Sequence, residues 1–391
     1  MSDPWLTIIG LGEDGPPGLP DASRAALAAA QAVFGGPRHL ALAGAGDRGH
    51  PWPVPFDIAP VLALRGRPVV VLASGDPFWF GAGGALADAL APGEWRAIPV
   101  AGVFSLAAAR LGWRIEDTAC LGLHAAPFAR LRPHLAPGWR GIGTLRDGPA
   151  AGALARWLAE AGWGASDLWV MEALGGPRER IRTGRADGLD LSDVAAPVAV
   201  AIHAQGGEGL PRSPGLPDSL FAHDGQITKA PVRALALAAL APRRNAILWD
   251  LGAGSGSVSV EWALAGGRAQ AVERRADRAA TVRANAASFG VDHRVTTYQG
   301  AAMDLLPALP QPQAVFVGGG FDKALFDALP RGARLVVHAV TLETEALLSA
   351  LHARHGGELL RLDIARAAPL GALRGWVPAR PIVQWSRPPC A

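Results

Sequence analysis

Cysteine, lysine and tyrosine are nearly missing from this chain of 391 residues. Its two cysteines, Cys120 and Cys390, stand far apart and outside any CxxC or Cys/His ligand spacing, which excludes a disulfide framework and a cysteine-ligated zinc site. No metal is expected: His352 and His355 fall on a predicted helix, but no third ligand accompanies them and a solvated face explains the pair. Lysine occurs only at 229 and 323, so positive charge rests on arginine, and the net charge of +3 is scattered rather than gathered into runs. That speaks against nucleic acid as a partner and suits an acidic small molecule, whose carboxylates the arginine fork can hold. No apolar run approaches the roughly 18 residues of a membrane-spanning helix. No basic segment precedes an apolar one at the start, so a cytoplasmic protein without a membrane partner is expected.

Half of the residues are hydrophobic, and a chain of this length accommodates two or three packed domains. The most informative stretch is Ala246-Ile247-Leu248-Trp249-Asp250-Leu251-Gly252-Ala253-Gly254-Ser255-Gly256. It reads as an apolar strand ending in an acid and then a glycine-rich turn. Gly252, Gly254 and Gly256 let the backbone turn sharply and approach a ligand where a Cβ would collide. About 20 residues on, the short strand Ala269 to Val272 ends in Glu273, a position from which a carboxylate accepts hydrogen bonds from ribose hydroxyls. A dinucleotide fold spaces its third glycine three residues after the second. The order here is Gly-x-Gly-x-Gly, which favours S-adenosylmethionine over NAD.

This segment resembles the class I, seven-stranded methyltransferases across roughly residues 227–340. By that resemblance the glycine loop borders the methionine part of the cofactor, Glu273 holds the ribose, and Tyr298-Gln299-Gly300-Ala301-Ala302 encloses the adenine, with Gly300 and Ala301 as contacts. Ala314-Val315-Phe316-Val317-Gly318-Gly319-Gly320 looks like the fourth strand. Neither an Asn-Pro-Pro-aromatic motif nor a Pro-Cys nucleophile follows that strand directly, which removes most of the case for base methylation. Upstream, Thr228 is expected to cap a helix running through Ala241 with Pro231 in its first turn. Thr228 is also a cofactor-site candidate. Lys229 beside it stands out in an arginine-rich chain, with an exposed helix-start lysine as the plain alternative.

The first half carries a second set of signals. Leu6-Thr7-Ile8-Ile9-Gly10 is an apolar strand ending in Leu11-Gly12-Glu13-Asp14-Gly15, with a helix predicted over 23–33. A strand over 68–73 stops at Ser74-Gly75-Asp76-Pro77-Phe78-Trp79-Phe80-Gly81. In open α/β sheets ligands sit at that carboxyl edge. Together with the entry Ile98-Pro99-Val100-Ala101-Gly102-Val103-Phe104-Ser105 and with Ala119-Cys120-Leu121-Gly122-Leu123-His124, these residues resemble the tetrapyrrole methylases of the class III fold over roughly 4–204. The resemblance implies two small α/β lobes with S-adenosylmethionine between them. Gly75, Asp76 and Pro77 then form the cofactor turn, and Ser105 opens the next helix. Glu13 and Cys120 depart from that pattern, where relatives mostly carry a small residue and a hydroxyl residue. Residues 205–225 are dense in Gly, Pro, Ser and Asp and read as a linker.

The expected architecture is therefore α/β throughout. A two-lobed tetrapyrrole methylase domain over 1–204 and a linker over 205–225 precede a Rossmann-like, seven-stranded class I methyltransferase domain over 226–391. This order resembles one family in particular, the decarboxylating precorrin-6Y C5,15-methyltransferases of cobalamin biosynthesis. The resemblance implies one S-adenosylmethionine site per domain, a precorrin substrate, methylation at meso carbons 5 and 15, loss of the ring C acetate carboxyl, and self-association. A reduced tetrapyrrole has enamine-like density at its meso carbons, so no protein nucleophile is needed, and no catalytic residue is assigned. Tyr298, the single tyrosine, is the one candidate for a phenolic acid, with core packing as the alternative. Another small-molecule methyltransferase fusion and an RNA methyltransferase are the competing readings.

Overall fold

Short runs of β-branched residues alternate with alanine-rich helices in the first half and generate a parallel sheet. The computed structural model describes residues 4–389, so Cys390 lies outside the described residues. Strands β1 (Leu6–Leu11), β2 (Ala32–Gly35), β3 (Gly49–Pro51), β4 (Val69–Ser74) and β5 (Trp95–Ile98) stand in the order β3-β2-β4-β1-β5, all parallel. Both faces of β1 are buried, as central strands of parallel sheets require. Leu6 and Ile8 pack with Phe34, Val69 and Val71 on one side, while Ile9 and Leu11 join Val33, Val70 and Leu72 on the other, a period of two read out as two cores.

The helix expected over 23–33 spans Asp21–Ala29, because Ala30 turns extended and Ala32 and Val33 enter β2. Burial of Val33 and Phe34 in the sheet outweighs the helix propensity of the alanine run.

A second sheet follows, made of β6 (Ala119–Gly122), β7 (Arg140–Leu145), β8 (Asp167–Glu172), β9 (Arg180–Arg185) and β10 (Val198–His203) in the order β6-β7-β10-β8-β9. Only β6 and β7 run parallel; the other neighbours are antiparallel. The chain divides into two compact units: Met1–Phe128 with Leu135–Glu208, and Gly209–Ala391 with the short stretch Ala129–His134.

Unit 2 contains β11 (Ile247–Leu251), β12 (Arg268–Glu273), β13 (Val295–Gln299), β14 (Ala314–Val317), β15 (Arg334–Ala339), β16 (Glu358–Leu362), β17 (Ala365–Leu370), β18 (Leu373–Pro378) and β19 (Ile382–Arg387). Seven of them form one sheet in the order β13-β12-β11-β14-β15-β19-β16, with β19 antiparallel to both neighbours. This is the Rossmann-like arrangement expected of a class I methyltransferase. The strands β17 and β18 pair only with each other, and their hairpin leaves Leu370, Leu373 and Trp376 largely exposed.

The stretch expected as a linker is built into this unit from Gly209 onward. Leu216 and Phe221 are buried in its core. Arg233, fully buried, donates through Nε to Glu261 Oε1 at 2.5 Å and through Nη1 to Asp218 at 3.2 Å, and it also reaches the carbonyls of Leu216 and Thr228. Glu261 in turn accepts from the backbone N–H groups of Gly215 and Leu216. Asn285 joins the same stretch to the glycine turn, exchanging hydrogen bonds with Ala222 and donating to the Ser255 carbonyl at 2.8 Å.

The helix Ala230–Leu240 starts one residue later than expected, with Lys229 and not Thr228 at its N-cap and no side-chain cap bond. Thr228 is drawn instead into the Arg233 network through its carbonyl.

Candidate functional site

In unit 1, the carboxyl ends of β1 and β4 open onto a cavity of about 700 Å³. Its tightest point is backbone against backbone. Gly75 N–H donates to the Leu11 carbonyl at 3.2 Å while the Gly75 carbonyl accepts from Val100 N–H at 3.1 Å. A Cβ on Gly10 would stand 1.8 Å from that carbonyl oxygen, so the turn admits only glycine there. Gly75, Asp76 and Ser105 all line the cavity. Asp76 is exposed and its Oδ1 accepts from Phe78 N–H at 2.9 Å, which holds the turn open. Pro77 is buried behind the turn, where its carbonyl accepts from Gly83 N–H, so it shapes the loop without lining the cavity. Ser105 is not the cap of its helix: Val103–Leu111 has Gly102 at its N-cap, which places Ser105 in the first turn, exposed on the cavity wall.

On that wall Arg38 carries no local sequence signal. Glu13 forms an ion pair with Arg38, and Arg38 Nη2 donates to Ser74 Oγ at 3.0 Å. Burial, with the Arg38 charge adding to it, pushes the His39 imidazole down to about 4, so it is neutral beside the guanidinium. His124 Nδ1 lies 3.1 Å from Thr144 Oγ1. Cys120 lines the cavity too, and burial raises its thiol, keeping it protonated and unreactive. Pairs such as Arg38 and Ser74, separated by 36 positions, become neighbours only through strand order.

In unit 2 the glycine turn joins β11 to the helix Ser257–Leu264. Gly254 has φ +58° and open space where a Cβ would project, whereas a Cβ on Gly256 would lie 2.8 Å from Val282 Cγ1. The first direction is open and the second is a packing contact. Glu273, ending β12 and mostly buried, accepts from Gly254 N–H through Oε2 and from Arg275 N–H through Oε1, both at 2.9 Å. Its carbonyl accepts from Gly300 N–H at 3.0 Å, which brings the Gly300-Ala301 turn to the same edge. Asp250 is buried beneath the loop. Its Oδ2 accepts from Ser259 Oγ at 2.6 Å, its Oδ1 has no partner, and burial pushes its carboxyl up to about 6.

The geometry thus joins Gly252, Gly254, Gly256, Glu273, Gly300 and Ala301 at one sheet edge and leaves Thr228 in a backbone role. Tyr298 donates to Gln270 Oε1 at 3.0 Å and packs in the core, which accounts for it without chemistry. Among the described residues no three His, Cys, Asp or Glu side chains could hold a metal, and no helix is long and apolar enough to cross a membrane. The residues fit an adenosyl sulfonium: in unit 2 a Cβ on Gly254 would occupy the open side of the loop and Glu273 keeps lone pairs for two hydroxyls, and in unit 1 the close-packed Gly10 and Gly75 backbone borders a cavity of suitable size.

Residues 6–190 match the family model of the Tetrapyrrole (Corrin/Porphyrin) Methylases, and residues 219–388 that of the Precorrin methyltransferase domain. The whole chain is 47% identical to a precorrin-6Y C(5,15)-methyltransferase (decarboxylating) of a Sinorhizobium species, over 98% of this chain and 96% of that one. The chain belongs to the precorrin-6Y C5,15-methyltransferase (decarboxylating) family. A Mycobacterium tuberculosis member is 39% identical over 97% of this chain and 99% of its own. The crystal structure of the C-terminal domain of the Rhodobacter capsulatus member is 58% identical, covering 45% of this chain and 98% of that one with a TM-score of 0.44. Like its family, the chain is a C-methyltransferase of cobalamin biosynthesis that takes methyl from S-adenosylmethionine and acts with decarboxylation.

Proposed function

We propose that the two units divide the reaction. Unit 1 methylates meso carbon 5 of precorrin-6B. Unit 2 methylates meso carbon 15 and releases the ring C acetate carboxyl as carbon dioxide, giving precorrin-8. The observation that carries this reading is the presence of two separate cradles, each at the carboxyl edge of its own unit's parallel strands, with one S-adenosylmethionine assigned to each. When bound, S-adenosylmethionine supplies an electrophilic methyl group, which an electron-rich meso carbon takes without a protein nucleophile.

The chain's own contribution is position. In unit 1 the interlocked backbone of Gly10, Gly75 and Val100 fixes one wall, and Asp76 and Ser105 offer polar contacts beside it. In unit 2 Glu273 holds the ribose end while Gly252, Gly254 and the Gly300-Ala301 turn border the remainder of the cofactor. Holding reactants in near-attack geometry is worth several kcal/mol, about 7–11 in favourable cases. Around the unit 2 site, Met303, Val340 and Leu342 follow the carboxyl ends of β13 and β15 and are exposed. Such an apolar rim suits the face of a macrocycle, and an acetate kept there away from cations loses carbon dioxide more readily than one in a salt bridge.

The test is product mass and methyl position after incubation with precorrin-6B and S-adenosylmethionine. The parent chain adds two methyl groups and loses one carbon dioxide. Gly254→Arg, which fills the unit 2 loop, leaves a product methylated at carbon 5 alone. Ala101→Trp, which fills the unit 1 cavity from an exposed wall position, leaves methylation at carbon 15 with decarboxylation. Either variant giving the full product overturns the division.

A further inference from the structure

Arg38 is the strongest unassigned cation on the unit 1 cavity wall. It sits in the helix Pro37–Leu42 directly after β2, and its guanidinium is held at three points. Nη1 pairs with Glu13, while Nη2 donates to Ser74 Oγ at 3.0 Å and to His39 Nε2 at 2.9 Å. The Glu13 side chain is 8% exposed and that of Arg38 36%, so the pair is partly desolvated yet open to the cavity. Arg178 approaches Glu13 from the other side at 3.5 Å. Of the acids nearby, Asp14 is exposed, and Asp76 is exposed and accepts from Phe78 N–H. With His39 neutral, two guanidinium groups face the one carboxylate of Glu13. Both acceptors on Nη2 are neutral. A carboxylate in their place makes a charge-assisted bond that is stronger than either.

We infer that Arg38 receives a carboxylate side chain of the tetrapyrrole in unit 1, with Glu13 fixing the guanidinium in position to do so. This rests on the reading that unit 1 binds the tetrapyrrole for methylation at carbon 5. Arg38 is then a substrate-binding residue, not a group that moves protons, and its removal acts on affinity. A point-charge replacement recovers only part of the effect because lysine lacks the fork.

The experiment measures KM for precorrin-6B in carbon 5 methylation, with the full chain, for Arg38→Met and Arg38→Lys. Arg38→Met leaves Glu13 short of a partner, so Glu13→Gln/Arg38→Met is measured beside it, removing the orphaned charge. The expected result is a KM raised about 10- to 100-fold, with kcat within about twofold, an intermediate KM for Arg38→Lys, and unchanged S-adenosylmethionine affinity. A parent KM in both Arg38→Met and the double variant overturns the assignment, as does a loss confined to kcat. Ala101→Trp separates the two levels of the argument. If it abolishes carbon 5 methylation while the Arg38 variants keep the parent KM, the carboxylate site alone is wrong. If it leaves carbon 5 methylation intact, the reading of unit 1 and the Arg38 site fail together.

Discussion

Two glycines two residues apart in the unit 2 loop should respond to alanine in opposite ways. Gly254 and Gly256 share a left-handed backbone, with φ +58° and +74°, and an alanine in that conformation costs about 1–2 kcal/mol. They differ in what the new methyl meets. At 254 nothing lies within 4 Å, so Gly254→Ala loses only the conformational term, and the melting temperature falls by about 2–4 °C per kcal/mol for a unit of this size. At 256 the methyl meets Val282 Cγ1 at 2.8 Å and its Cα at 3.2 Å, and overpacking adds about 1–3 kcal/mol.

Binding reverses the order. On the proposed reading the ligand approaches from the open direction at Gly254, so the same methyl costs about 1–3 kcal/mol of affinity, or roughly 5- to 150-fold in Kd. Calorimetric titration with S-adenosylmethionine, with urea unfolding on the same samples, reads both quantities. Gly254→Ala should weaken one binding event and slow methylation at carbon 15 with little loss of stability. Gly256→Ala should lower stability more than affinity. Equal affinities in the parent chain and Gly254→Ala, with carbon 15 methylation intact, would refute the placement of the ligand over this loop.

Removing Arg233 with Arg233→Met strands Glu261 and Asp218 and frees two carbonyls; breaking a buried pair this way costs about 3–5 kcal/mol, read as a lower urea midpoint for unit 2 at unchanged slope. Asp250 is pushed up to about 6 from 3.8, so its protonated form favours the folded state and its contribution falls as pH rises from about 4 to about 6. The stability of the parent chain relative to Asp250→Asn should fall across that window and stay level above it; a difference independent of pH would contradict the burial. Lys229 lies 3.7 Å from Asp218 and is half exposed, so Lys229→Ala should change stability by no more than about 1 kcal/mol and leave both methylations intact. A loss of activity without unfolding would give that lysine a role beyond the ion pair.

What could be read in the chain was whatever sits in one continuous window. The strand, glycine turn, helix, strand and acid over residues 246–273 are local, and the structure has them where the pattern indicates, with a Gly254–Glu273 hydrogen bond that the pattern does not give. The Gly75 turn is legible for the same reason. Boundaries in alanine-rich segments are not, since alanine marks neither face of a helix, and only the burial of Val33 and Phe34 decides where β2 begins. Thr228 resembles a cap more than Lys229 does, but the carbonyl contact with Arg233 engages it before the helix starts. The supposed linker misleads by composition. Its glycines and prolines are those of a flexible segment, while the charges that hold it, on Arg233 and Glu261, lie outside it. The Glu13–Arg38 pair is invisible for a related reason, being brought together by a strand order that sets β4 between β1 and β2.

The burial of Leu216 and Phe221 sets where this chain can be severed. A fragment begun at Gln226 would carry Arg233 and Glu261 but leave behind Asp218 and the N–H groups of Gly215 and Leu216 that satisfy them. It would also expose the apolar surface against which Phe221 stacks on Phe289. Such a fragment should aggregate on release from the ribosome, whereas one begun at Gly209 retains its own lock. The junction between the two units therefore lies upstream of the residues that look most like a hinge, and a gene fission that yielded a folded second unit would have to respect it.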